Sequence, residues 1–212
     1  GFQKIPIYKQ WAKDKDGTMV QIPVWAYISR NTGPAIWLTA GIHGYEEQAP
    51  VTAYANKIDY IARLAEKIPV VFIGLFNPGG YSENLRFARN KNGSPTRTSV
   101  CDANPVLPKK EHMENPVPAS RYFSNEYTEQ IFYSLFKILG THPCFLSLGG
   151  HEDWEQGGGT MVYSDGIRGF SDPVAKNCVR LLREWHFHIR MNRYTHSKEP
   201  TIGGVSKMYN CN

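Results

Sequence analysis

The sequence predicts an α/β fold, a three-layer α/β/α arrangement around a mixed, mostly parallel central sheet. Three observations carry that prediction. Residues 3–12 and 18–29 alternate as two strands and are joined through Asp14-Lys-Asp-Gly17, a hairpin turn. An apolar run from Ala35 to Ile42 reads as a buried strand. A helical pattern then leads into Ile68 to Phe76, a continuous β-branched run of the kind found in strands covered on both faces. Strand, helix, strand in that order builds a parallel unit with a right-handed crossover.

Each element has its own signal. Asn31-Thr-Gly-Pro34 turns the chain out of the hairpin. From Pro50, the apolar positions Val51, Tyr54, Ile58, Ile61 and Ala65 recur at three- and four-residue steps, as on a helix with one buried face. Between Asn77 and Phe123 regular periodicity gives way to Gly, Pro, Asn and charge, and a loop of that length inside a domain is read as functional. Ser124 is the expected N-cap of the next helix, whose wide apolar face is formed by Tyr127, Ile131, Phe132, Leu135, Phe136, Ile138 and Leu139 and which Gly140 stops. Cys144 to Leu148 is a short buried strand, ended by Gly149-Gly150 before His151. Thr160 to Tyr163 is a further strand. Asp172-Pro173 opens a last helix with Cys178, Leu181, Leu182, Trp185 and Ile189 at helical spacing. From Arg190 the chain reads mostly as loop.

The totals bound the function. A chain of 212 residues, 41% hydrophobic and 20% charged, is enough for one core, so a single domain over residues 1–212 is expected. No apolar run approaches the roughly 20 residues of a membrane span, and no signal or transit peptide opens the chain. It begins at Gly1 rather than Met, so the natural start is expected to lie upstream. The net charge of +5 permits acidic partners without requiring them. Its densest basic stretch contains Arg180, Arg183, Arg190, Arg193 and Lys198 among Trp185, Phe187 and Tyr194. That is read as a solvated helix face, not a nucleic-acid surface. Cys101, Cys144, Cys178 and Cys211 form no C-x-x-C pair, which argues against a four-thiolate metal site. Cys144 and Cys178 are expected as buried small hydrophobes, and a cytoplasmic location as the compartment.

The chemistry begins at Leu38-Thr-Ala-Gly-Ile-His-Gly-Tyr-Glu46. His43 and Glu46 stand where strand gives way to helix, the usual place for a site in an open α/β sheet. An imidazole and a carboxylate this close can share one zinc ion. His151 repeats the event: a buried strand, glycine, then histidine. Where two such strands are parallel neighbours their carboxyl ends meet, so His43, Glu46 and His151 would supply three ligands and leave a position open for water. On spacing alone a second reading stays open, in which His43 caps its turn and His151 bonds a loop carbonyl.

Further motifs follow in a particular order: Asn77-Pro-Gly-Gly80, Ser82-Glu-Asn84 with Arg86-Phe-Ala-Arg89, Val100-Cys-Asp-Ala-Asn104, and Phe145-Leu-Ser-Leu-Gly-Gly-His151. With Ile42-His-Gly-Tyr-Glu46 they resemble the zinc carboxypeptidase family, over more than half of the chain. The Ala40-Gly-Ile-His-Gly start and the His151-Glu-Asp153 end look closer to the succinylglutamate desuccinylase/aspartoacylase branch. The resemblance implies a zinc-dependent metallohydrolase that cleaves an amide bond, with one zinc held by His43, Glu46 and His151. It implies that Arg86 faces the developing oxyanion and contacts substrate, that Asp102 orients His43, and that Asn104 holds the substrate's carboxylate. A peptide or acyl-amino-acid substrate is implied, with no nucleic-acid or membrane partner.

Two departures from the family qualify this. Pro105 stands where carboxypeptidases carry an arginine for the terminal carboxylate, and proline offers no donor. An acyl-amino-acid deacylase therefore fits better than a classical C-terminal exopeptidase. The family's general base is a glutamate on a late strand, and none of Glu152, Glu155, Glu184 and Glu199 matches it. Three readings follow: the natural chain continues past Asn212, another polypeptide supplies the strand, or the protein is a catalytically inactive metal-binding homologue. The first is the expectation. Gly157-Gly-Gly159 is read as a flexible rim and Trp154 as a pocket wall or packed loop aromatic.

Overall fold

The structure, a computed structural model, describes residues 1–44, 48–96, 100, 125–151, 162–164, 168–189, 201–202 and 205–207. They fall into two compact units, Gly1–Asp153 and Trp154–Asn212.

The first unit is built on a five-stranded mixed sheet. Strands β1 (Phe2–Lys13) and β2 (Met19–Ser29) form the expected antiparallel hairpin. Its turn is tied by Asp14, whose carboxylate accepts from the amides of Asp16 and Thr18, both at 2.9 Å. Strand β3 (Ala35–Thr39) leads through helices α1 (Gln48–Asn56) and α2 (Ile58–Ala65) to β4 (Val70–Ile73). A short helix α3 (Pro78–Ser82), the long helix α4 (Glu126–Leu139) and strand β5 (Cys144–Gly149) complete the described unit. The strand order is β1-β2-β4-β3-β5. β2 meets β4 antiparallel, while β3 lies parallel to both β4 and β5.

Helices cover both faces, which makes the three layers. Successive side chains of a strand point to opposite faces, and β4 shows it: Val71 and Ile73 join one core, Val70 and Phe72 the other. The first core takes Tyr8, Val24, Ala26, Ile28 and Trp37 with Tyr127, Ile131 and Ile138 of α4. The second packs Leu38, Val70 and Phe72 against Ile61 and Ala65 of α2. Tyr127 is both packed and bonded: its hydroxyl accepts from the Trp11 amide at 3.1 Å and donates to the Arg89 carbonyl.

Several expectations need correction. The helix from Pro50 is two helices that meet at Lys57, where φ is −110° and ψ is 12°. Asn125 caps α4, its side chain accepting from the amides of Tyr127 and Thr128 at 3.0 Å each; Ser124 lies outside the described residues. The apolar face of α4 is narrower than its composition implied: Phe132 and Leu139 are exposed, and Phe136 is 66% exposed. One packed stripe of a helix spans only part of its circumference. β5 is not a buried strand. Among the described residues it ends the strand order, Phe145 is 78% exposed and Cys144 is exposed, while Cys178 is only half-buried.

The second unit has a three-stranded sheet in the order β6-β8-β7, from β6 (Val162–Ser164), β7 (Thr201–Ile202) and β8 (Val205–Lys207). The last two fall where loop was expected. Helix α5 (Pro173–Glu184) is capped by Asp172, which accepts from the Val174 and Ala175 amides and from the Ser164 hydroxyl. The Ser164 bond and then the two amides hold the Asp172 carboxyl below its usual range. The buried side of α5 is Ala175 and Val179, with Leu182 beside them; Leu181 and Trp185 are exposed. Among the described residues no helix is long and apolar enough to cross a membrane.

Burial, the largest cause, pushes the Tyr127 phenol up to about 12 from its ordinary 10.0. The folded state thus keeps a proton that the unfolded chain releases. The resulting stability is fully present below pH 10 and is lost as pH rises from 10 to about 12. Tyr127→Phe should reduce the alkaline slope in denaturant titrations at several pH values. At neutral pH it should cost about 1–3 kcal/mol, because the Trp11 amide and Arg89 carbonyl lose a buried partner.

Candidate metal centre

The site is assembled where β3 and β5 end side by side. The two strands pair from Ile36 with Leu146 to Thr39 with Gly149. Beyond the last pair the Gly150 amide donates to the Thr39 carbonyl at 2.8 Å, so the strands stay together up to His151. On the other side of β3, Ala40 donates to the Ile73 carbonyl at 3.1 Å, and the Phe76 and Asn77 amides return to Ala40 and Gly41 at 3.1 and 2.7 Å. His43 and His151 emerge from this joint. Their ring centroids are 5.0 Å apart with planes inclined at 63°. His43 Nδ1 is buried, whereas His151 is exposed.

Two imidazoles sharing a tetrahedral zinc at about 2.0–2.1 Å from each nitrogen have ring centres on the order of 5 Å apart. The observed separation fits that arrangement. Glu46, the third expected ligand, lies outside the described residues, as do Asp102 and Asn104. Among the described residues no group of three or more His, Cys, Asp or Glu is placed to hold a metal ion.

Close backbone approach shapes the surroundings. A Cβ on Gly150 would lie 2.6 Å from Pro50 Cβ, so glycine lets the start of α1 pack directly against the turn before His151. The Tyr54 hydroxyl, on the same helix, donates to the Leu148 carbonyl at 3.1 Å. Burial raises the Tyr54 pKa above its ordinary value. On the His43 side, a Cβ on Gly44 would lie 2.0 Å from the Leu85 carbonyl oxygen and 2.4 Å from Gly80 C. The segment bearing Asn77-Pro-Gly-Gly80 and Arg86 is thus pressed against the residue after His43.

Arg86 reaches this place through its backbone. The Gly44 amide donates to the Arg86 carbonyl at 3.2 Å, and the half-buried guanidinium stands 5.6 Å from the centre of the Phe87 ring. The neighbouring Glu83 and Arg89 do form a loop ion pair, at 2.7 Å, and Glu83 also accepts from the Lys13 amide at 3.0 Å. Of the late glutamates, Glu184 pairs with Arg180 on an exposed face of the second unit, while Glu152, Glu155 and Glu199 lie outside the described residues.

Sequence reading passed over Gln10. It lies on β1 between Tyr8 and Ala12, with all three buried, and its amide bonds both Asn77 and the Gly79 amide. The signal was available: a polar residue at an inward, period-two position must find a partner inside.

No protein-family model matches the chain, and no curated protein matches it. Solved structures do. A candidate metallopeptidase from Shewanella baltica aligns at 17% identity and a TM-score of 0.61, over 99% of this chain and 69% of its own. An aspartoacylase family protein from Mesorhizobium loti aligns at 14% identity and a TM-score of 0.50, over 98% and 61%. Bovine thrombin-activatable fibrinolysis inhibitor, solved in complex with tick carboxypeptidase inhibitor, aligns at 15% and 0.52, over 87% and 66%. At these identities the likeness is one of fold. That fold is a carboxypeptidase-like α/β architecture, shared with an aspartoacylase family protein.

Gly44→Ala should destabilise the first unit by about 1–3 kcal/mol, because backbone atoms of Gly80 and Leu85 cannot yield as a side chain would. Chemical denaturation checks the stability loss.

Proposed function

We propose that this chain is a zinc-dependent metallohydrolase cleaving an amide bond, of the acyl-amino-acid deacylase or carboxypeptidase-like kind. The observation that supports this most directly is the pair of imidazoles, His43 and His151, held 5.0 Å apart at the carboxyl ends of two adjacent parallel strands. His43, Glu46 and His151 would hold the metal. When bound, zinc supplies a water with its pKa lowered to about 7 and a Lewis acid for the scissile carbonyl. The Arg86 guanidinium would stabilise the oxyanion, an interaction that strengthens only as charge develops. Asp102 would fix the tautomer of His43 by accepting from its second ring nitrogen. Asn104 would bind the substrate's carboxylate. With Pro105 beside it in place of a second cationic donor, an N-acyl amino acid is a better match than a long peptide.

The test joins metal analysis to activity. The protein should bind one zinc per chain in equilibrium dialysis and release amine from N-acyl amino acids. His43→Ala and His151→Ala should each abolish both. Arg86→Ala should retain the metal and lower kcat by about 10²–10³. Zinc binding without amine release from any acyl-amino acid or short peptide would favour the inactive metal-binding reading. Absence of zinc binding would overturn the assignment altogether.

A further inference from the structure

We infer that Asn77 is a positioning residue that acts through Arg86, setting the arginine's backbone against the turn that carries His43. The inference rests on the hydrolase reading for its kinetic consequence and on geometry for its mechanism.

Asn77 is fully buried at 0% exposure, and its amide is used at both ends. Oδ1 accepts from the Gly80 amide at 2.9 Å and from Gln10 Nε2 at 2.6 Å, while Nδ2 donates to the Arg86 carbonyl at 3.2 Å. That same carbonyl accepts from the Gly44 amide at 3.2 Å. One carbonyl oxygen therefore joins the Asn77 side chain to the residue after His43. Gln10 completes the couple from β1: itself 0% exposed, it orients Asn77 through Nε2 and accepts from the Gly79 amide at 2.9 Å through Oε1. The close approach is built for this. A Cβ on Gly80 would lie 2.5 Å from Asn77 Nδ2, and Gly44 has no room for one.

Only a side chain with an acceptor and a donor on one short stem can make all three bonds. Aspartate has the same shape and keeps the two accepted bonds, but it turns an oxygen toward the Arg86 carbonyl. Asn77→Asp thus isolates the Arg86 contact from the cap of α3 and from the Gln10 bond.

The experiment measures Gly44 amide exchange, zinc affinity by chelator competition, and kcat and KM for an N-acyl amino acid. These are compared in wild type, Asn77→Asp, Arg86→Ala and the double variant. Asn77→Asp should speed Gly44 exchange, leave zinc affinity unchanged and lower kcat roughly a hundredfold, the scale of a small misplacement of a transition-state contact. In the Arg86→Ala background it should lower kcat no further. Equal losses in both backgrounds, or unaltered Gly44 exchange, would overturn the inference. Should Asn77→Asp fail to fold, Asn77→Ser retains a cap but cannot span to Arg86, and it should give the same pattern. If the wild-type protein neither binds zinc nor releases amine, the hydrolase reading fails, while Gly44 exchange still decides whether Asn77 sets this backbone.

Discussion

The parallel pairing of β3 with β5 is the constraint on which the rest of this structure depends. Parallel neighbours bring their carboxyl ends to the same edge of the sheet, and a histidine follows each of these two strands. The Gly150 amide extends the ladder by one further bond to Thr39, so the two strand ends stay paired up to the residue before His151. A shift of two residues in that register would move one imidazole by about 7 Å and part the two rings. The central position of β3, with β4 on its other edge and helices over both faces, is what holds the register.

A second constraint, polar and buried, is laid over the first. Gln10, Asn77, Gly80, Arg86 and Gly44 form a continuous set of hydrogen bonds from the hairpin to the His43 turn. Buried amides are costly unless every group is satisfied, and satisfied networks are correspondingly stiff. Here that stiffness is spent where the Arg86 backbone meets the residue after His43. The apolar core helps to place the same segment, because Ala88, two residues beyond Arg86, is fully buried in it.

Much of the fold was legible because its signals are local. Alternation marked the hairpin, a β-branched run marked β4, and three- and four-residue spacing marked the helices. The family resemblance, which runs over more than half of the chain, is matched by solved structures at the level of fold. The errors share a cause. Phe132, Phe136 and Leu139 on α4, and Cys144 and Phe145 on β5, have apolar character without burial. Hydropathy reports what a side chain prefers, whereas burial depends on what lies opposite it. The short strands β7 and β8 were unreadable for a related reason: strands of two and three residues are too brief to show a period.

The sequence by itself determined the order of elements, the two glycine-histidine strand ends and the residue types that a zinc centre requires. Those follow from local sterics and from donor chemistry, which each residue carries wherever it is placed. The tertiary structure alone decided that β3 lies between β4 and β5, that two rings remote along the chain come within 5.0 Å, and that Gln10 reaches Asn77. These are contacts between distant segments. Their energies depend on strand register and on which backbones approach closely, and neither is encoded in any single window of the chain.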